Sequence, residues 1–143
     1  GRLMMVCRTD AGSQYVAWSA DEGISWSELG ASEIISPLSP ASIKRIPSTG
    51  DLLLVWNDHA GITSDLAGRR TPLTLALSED EGLNWRRVRN LEENPHGWYC
   101  YTAIAFTPEH VLLAYCAGDR RENNGLATLQ ITRVPLTWFG TGV

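Results

Sequence analysis

One eight-residue pattern, present twice, limits what this chain can fold into more than any other feature. Ser19-Ala20-Asp21-Glu22-Gly23-Ile24-Ser25-Trp26 returns as Ser78-Glu79-Asp80-Glu81-Gly82-Leu83-Asn84-Trp85, so both copies read S-x-D-E-G-x-x-W. The two starts lie about 60 residues apart, a period that points to an array of similar units instead of one ordinary core. Each copy has the anatomy of a turn. The Asp carboxylate can accept hydrogen bonds from backbone N–H groups of its own turn. The Gly can supply a positive φ that other residues reach only with strain. The Trp can cover the apolar seam beside the turn while its indole N–H finds an acceptor. An apolar strand pattern precedes each copy, Tyr15-Val16-Ala17-Trp18 and Leu73-Thr74-Leu75-Ala76-Leu77.

The rest of the chain reads as all-β, because nearly every apolar segment is short and bounded by turn residues. The predicted strands are 2–7, 14–18, 26–29, 42–46, 52–56, 73–77, 85–90, 101–106, 111–116 and 127–134. Pro47-Ser48-Thr49-Gly50-Asp51 and Thr107-Pro108-Glu109-His110 read as hairpin turns. Two longer loops, 57–71 and 117–125, are candidates for function. No segment carries a sustained helical period.

Composition excludes several classes. At 143 residues, 43% hydrophobic and 20% charged, the chain reads as soluble and globular, with enough length for a real core. A net charge of −4 without a basic run disfavours nucleic-acid binding. No apolar stretch is long enough for a membrane helix, and no signal peptide opens the chain, which leaves its compartment open. The opening Gly1-Arg2-Leu3-Met4-Met5-Val6 has the pattern of a strand interior, which predicts a fragment or a product whose leader lies elsewhere. Cys7, Cys100 and Cys116 are odd in number and irregular in spacing, so free buried thiols are expected and a disulfide framework is not. His59, His96 and His110 are scattered near turns, and neither metal nor cofactor is expected.

The repeated turn resembles the Asp box of the sialidases and related β-propellers. Beyond the boxes, the chain resembles the sialidase (neuraminidase) superfamily over nearly its whole length. It is most similar to bacterial sialidase-like proteins with a run such as Ser39-Pro40-Ala41-Ser42-Ile43-Lys44-Arg45-Ile46-Pro47. The resemblance implies about half of a six-bladed β-propeller built from antiparallel four-stranded blades. Residues 1–30 would form an incomplete blade, 36–92 a complete one, and 98–143 a second incomplete one. Ser19, Asp21, Gly23, Trp26, Ser78, Asp80, Gly82 and Trp85 would then be structural residues on the rim. An open fan of blades leaves apolar faces and strand edges in water, so the resemblance implies a missing N-terminal half or a homo-oligomer.

Three positions match places where the family keeps catalytic groups. Gly1-Arg2-Leu3-Met4-Met5-Val6-Cys7-Arg8 resembles the strand that ends in an arginine of the carboxylate-gripping triad, which assigns Arg8 to substrate binding. Gly68-Arg69-Arg70-Thr71-Pro72-Leu73-Thr74 resembles the segment carrying another triad arginine; Arg70 is favoured and Arg69 stays open. Arginine suits the task because its planar fork meets a carboxylate with two charge-assisted hydrogen bonds. Tyr101-Thr102-Ala103-Ile104 resembles the Tyr-Ser-x-Leu motif of the nucleophile, with Thr for Ser and Ile for Leu; Tyr99 competes for the role. The third arginine, the aspartate acid/base and the glutamate that activates the tyrosine would precede Gly1. The isolated chain is therefore expected to bind a carboxylate weakly and to turn over little.

Three functions follow as expectations. The chain is part of an exo-sialidase acting on sialylated glycans, or a non-catalytic propeller that stacks sugars on Trp98, Tyr99 and Tyr101, or an orphan fragment that persists by self-association.

Overall fold

The computed structural model describes residues 1–140. Ten strands form three antiparallel meanders. The first holds β1 (Leu3–Cys7), β2 (Ser13–Ser19) and β3 (Gly30–Ile35), in that order. The second holds β4 (Ser42–Arg45), β5 (Leu52–Trp56), β6 (Leu73–Ser78) and β7 (Arg86–Glu92). The third holds β8 (Gly97–Phe106), β9 (His110–Asp119) and β10 (Leu129–Pro135), with β9 central. Single 3-10 turns at Ser64–Leu66, Arg120–Glu122 and Leu136–Phe139 are the only helical elements among the described residues, and none is long and apolar enough to cross a membrane.

The middle sheet explains its own sequence. Leu52–Trp56 and Leu73–Ser78 are buried at every position, which a continuous apolar run permits only when both faces are covered. Successive side chains point to opposite faces. Leu53, Val55, Leu73, Leu75 and Leu77 therefore join the larger core with Tyr99, Ile104, Val111, Leu113, Tyr115 and Val134 of the third sheet. Leu54, Trp56 and Ala76 point the other way and pack with Ile34 of β3. The middle sheet thus lies between the other two.

Each S-x-D-E-G-x-x-W copy closes by the same hydrogen bonds. Ser19 Oγ donates to Asp21 Oδ1 and Ser78 Oγ to Asp80 Oδ1, both at 2.8 Å. The Gly23 and Gly82 amides donate to those same hydroxyls at 2.8 Å. Asp21 Oδ1 accepts from the Ser25 amide and Asp80 Oδ1 from the Asn84 amide, each at 2.9 Å. Both glycines take positive φ (90° and 85°), and so do the preceding Glu22 and Glu81 (61° and 65°), which the sequence did not foreshadow. The tryptophans diverge. Trp85 packs against the smaller core, while Trp26 stays 40% exposed and donates its indole N–H to Gly23 O at 3.1 Å.

Hydrogen bonds from the Ser25 hydroxyl and amide, and from the corresponding Asn84 groups, hold the Asp21 and Asp80 carboxyls at about 2, below the ordinary 3.8. A depressed folded-state value adds stability that is present above the ordinary carboxylate range and is lost as pH falls toward 2. Unfolding midpoints measured from about pH 5 down to about pH 2 are expected to drop more steeply for the wild type than for Asp80→Asn, whose amide no longer titrates. Parallel curves would remove these carboxylates from the acid response.

Four predicted elements differ. Residues 26–29 are not a strand. Ser27 N donates to Trp18 O at 2.8 Å, but Trp18 N returns to Ser27 Oγ at 3.0 Å, so a side chain occupies the ladder position. Regular pairing starts only at Gly30, opposite Val16, and the first sheet runs to Ile35, past the predicted limit of 30. β8 begins at Gly97, four residues early, and β9 runs on to Asp119 through what reads as a loop. The cause is Gly118: a Cβ there would stand 2.4 Å from Gly125 O, so glycine serves close backbone approach inside a strand. Finally, β10 starts at Leu129 instead of Ala127.

Candidate functional site

The predicted site residues come from three separated segments. Arg8 follows β1 and is exposed. Arg70 lies in the loop before β6, and Tyr101 lies on β8. The Arg70 loop is fastened to the start of β8 by its own backbone, since the Tyr99 amide donates to Arg70 O at 2.9 Å. Thr71 Oγ1 donates to Asn94 O at 2.9 Å, and Asn57 Nδ2 donates to Pro72 O at 2.9 Å. With the loop so held, the Arg70 guanidinium carbon stands 5.3 Å from the centroid of the Tyr101 ring and 5.3 Å from that of Trp98. Both distances are within cation–π range.

Arg69 goes elsewhere. Its guanidinium donates to Pro95 O at 3.1 Å, and its carbonyl meets His59 Nε2 at 2.9 Å. Tyr99 likewise separates from Tyr101. It is 6% exposed, lies in the larger core, and meets Tyr115 edge-on at 6.3 Å between ring centroids. The three rings of Trp98, Tyr99 and Tyr101 therefore form no shared stacking platform: strict alternation would put Tyr99 and Tyr101 on one face, but the register shift between Cys100 and Ala103 separates them and leaves Tyr99 in the core. Tyr101 is half exposed.

Tyr101 departs from strand geometry. Cys100 pairs with Cys116 and Ala103 with Ala114, so Tyr101 and Thr102 together oppose Tyr115 in a β-bulge. Tyr101 adopts φ 57°, a left-handed value rare for a bulky side chain. Its surroundings are cationic. The Arg70 guanidinium first, then that of Arg8, favour the phenolate and lower the Tyr101 pKa from the ordinary tyrosine value. For Arg70, burial opposes the charge, and the contacts with Tyr101 and Cys100 outweigh it, so its pKa rises. Tyr99 shows the opposite tendency to Tyr101: burial, then Glu92 and Asp119, push its phenol up.

Three neighbours lie outside the predicted set of site residues. The Arg120 guanidinium carbon stands 4.5 Å from the Trp98 centroid, and Trp98 thus carries two arginines. Nothing in Asp119-Arg120-Arg121-Glu122 distinguishes Arg120 from Arg121, which pairs with Asp119 at 2.6 Å. Cys100 and Cys116 lie directly opposite each other beside the bulge as free thiols. Among the described residues no group of three or more His, Cys, Asp or Glu side chains gathers as a metal site.

The fold is that of the sialidases. The leech intramolecular trans-sialidase, solved with 2,7-anhydro-Neu5Ac, aligns with 99% of this chain at a TM-score of 0.70 and 16% identity. The Ruminococcus gnavus intramolecular trans-sialidase, solved with oseltamivir carboxylate, aligns with 100% at 0.69 and 18%. The NanB sialidase of Streptococcus pneumoniae aligns with 97% at 0.71 and 18%. This chain spans 23%, 32% and 22% of the length of those three proteins. The sequence agrees with the fold: the BNR repeat-like domain family matches residues 1–113, and the chain belongs to that family. No curated protein sequence matches it.

Proposed function

We propose that this chain carries the carboxylate clamp and the nucleophile of a sialidase-like glycoside hydrolase. Arg8 and Arg70 grip the substrate carboxylate, and Tyr101 attacks the anomeric carbon. The observation that carries the reading is the convergence of Arg8, Arg70 and Tyr101, from segments about 30 to 90 residues apart, on one cationic patch with a half-exposed phenol. A neutral phenol suits a substrate whose own carboxylate would repel an acidic nucleophile, and it needs help to lose its proton. Two guanidiniums supply part of that help here. When a carboxylate occupies the clamp, it cancels part of their field and the phenol pKa rises again; a substrate thus binds better to the protonated tyrosine than to the phenolate.

In this reading the three sheets are blades of a six-bladed propeller, β4–β7 a complete one and β1–β3 and β8–β10 incomplete ones. The repeated turns are its Asp boxes on the outer rim. A further stretch of chain, or a second copy, supplies the remaining blades, the third arginine and the acid/base carboxylate. By likeness to the neighbouring sialidases, the substrate of this reading is a terminal sialic acid on a glycan.

The test is a fluorogenic α-sialoside given to the full-length protein that contains this chain, alongside titration with an unsaturated sialic acid analogue. Release of fluorophore, with analogue binding weakened on the order of 10-fold to 100-fold in Arg70→Met, is the expected result. Analogue binding without release points to a glycan-binding module. Neither binding nor release overturns the reading.

A further inference from the structure

The run Ser42-Ile43-Lys44 of β4 has no part in the function above, yet it faces the strand that bears Tyr101. β8 is an edge strand of its sheet, so the carbonyls on its free side lack ladder partners. Two of them are capped from the neighbouring sheet by side chains instead of by another strand. Ser42 Oγ donates to Thr102 O at 2.6 Å, and Lys44 Nζ donates to Ile104 O at 2.9 Å. Thr102 is the second residue of the bulge, immediately after the left-handed Tyr101.

We infer that Ser42 is a positioning residue for Tyr101: its hydroxyl, donated to the Thr102 carbonyl across the seam between two sheets, holds the bulge that turns the phenol toward Arg70. A bulge leaves its extra residue outside the ladder, and a left-handed tyrosine relaxes toward ordinary strand geometry unless its surroundings fix it. The accepted carbonyl belongs to the Thr102–Ala103 peptide, where the bulge rejoins the ladder at Ala103, so the Ser42 hydrogen bond fixes the C-terminal end of the bulge and opposes its relaxation back into ordinary strand geometry. The hydroxyl is a short side chain on a strand, so it fixes the carbonyl with little freedom of its own. Lys44 anchors the same strand two residues further on but touches neither bulge residue.

The consequence for turnover rests on the reading of Tyr101 as nucleophile; the positioning itself does not. The experiment therefore uses the full chain with 13Cζ-labelled tyrosine and follows ionisation of all four tyrosines by NMR, with Tyr101 assigned by the signal lost in Tyr101→Phe. In the wild type Tyr101 is expected to titrate below the ordinary tyrosine range, because Arg70 and Arg8 face it. In Ser42→Ala its titration is expected to move up toward the ordinary tyrosine range, and in Ser42→Thr, which keeps the hydroxyl, to stay low. An unchanged Tyr101 titration in Ser42→Ala overturns the inference. If Ser42→Ala does not fold, Ser42→Cys, of similar size and with a weaker donor, takes its place, and a wild-type titration there overturns it equally. In the full-length enzyme, Ser42→Ala is expected to lower kcat by about 10-fold to 100-fold with KM nearly constant. A shifted titration with undiminished kcat supports the positioning and removes Tyr101 from the chemistry. Loss of turnover in Tyr101→Phe, with an unshifted titration in Ser42→Ala, leaves the chemistry and removes Ser42.

Discussion

Tyr101→Phe is expected to cut sialoside hydrolysis by the full-length protein by on the order of 10³-fold, while Tyr99→Phe leaves it within about twofold. The two residues are near neighbours in sequence and share a strand, so the contrast isolates geometry from composition. Tyr99 is packed in the core against Tyr115, and its phenol is harder to ionise than usual. Tyr101 is half exposed beside Arg70 and Arg8, and its phenol is easier to ionise. Phenylalanine keeps the ring over Arg70 and deletes only the phenolic oxygen, the nucleophile of the proposed reading. A Tyr101→Phe enzyme with wild-type kcat/KM would eliminate the covalent step, and the convergence of the three residues would then have to serve binding alone.

Leu75→Ala is expected to destabilise the fold by about 2–5 kcal/mol, read as a lower urea midpoint at unchanged slope. Leu75 is fully buried at the centre of β6, opposite Val55, where the middle sheet meets the third. Strands on both sides hold the backbone in register, so the space left by three heavy atoms cannot collapse cheaply. Leu126→Ala, at a residue 58% exposed in the loop after Arg120–Glu122, is the matched control and is expected to change stability by less than about 0.5 kcal/mol. Equal midpoints for the two variants would mean that the sheets are not packed face to face through this layer. The same layer carries Tyr99, whose backbone fastens the Arg70 loop, so a large loss there is also expected to weaken anion binding.

Much of the architecture was legible because its determinants are local. The S-x-D-E-G-x-x-W turns are closed by bonds spanning two to four residues, so the sequence contains every partner. The run Leu52–Trp56 reads as a strand from its apolar residues and flanking turn, and the structure adds that it is buried at every position. The misread elements were those where a non-local partner overrides a local signal. Ser27 looked like part of a strand until its side chain took the ladder position opposite Trp18. Gly118 looked like loop until the backbone of Gly125 was found against it.

The candidate site divides along the same line. Sequence alone determined which residue types belong to it and roughly where: an arginine after the first strand, one of two adjacent arginines, one of two nearby tyrosines. Tertiary structure alone decided that Arg70 and not Arg69 lies over the Tyr101 ring, and that Tyr101 and not Tyr99 faces out. Those choices depend on strand register, on a bulge opposite Tyr115, and on Ser42 reaching Thr102 from 60 residues away. Turn chemistry is short-range and is written in consecutive residues, whereas the direction of a side chain at a bulge is set by what packs against it from other sheets.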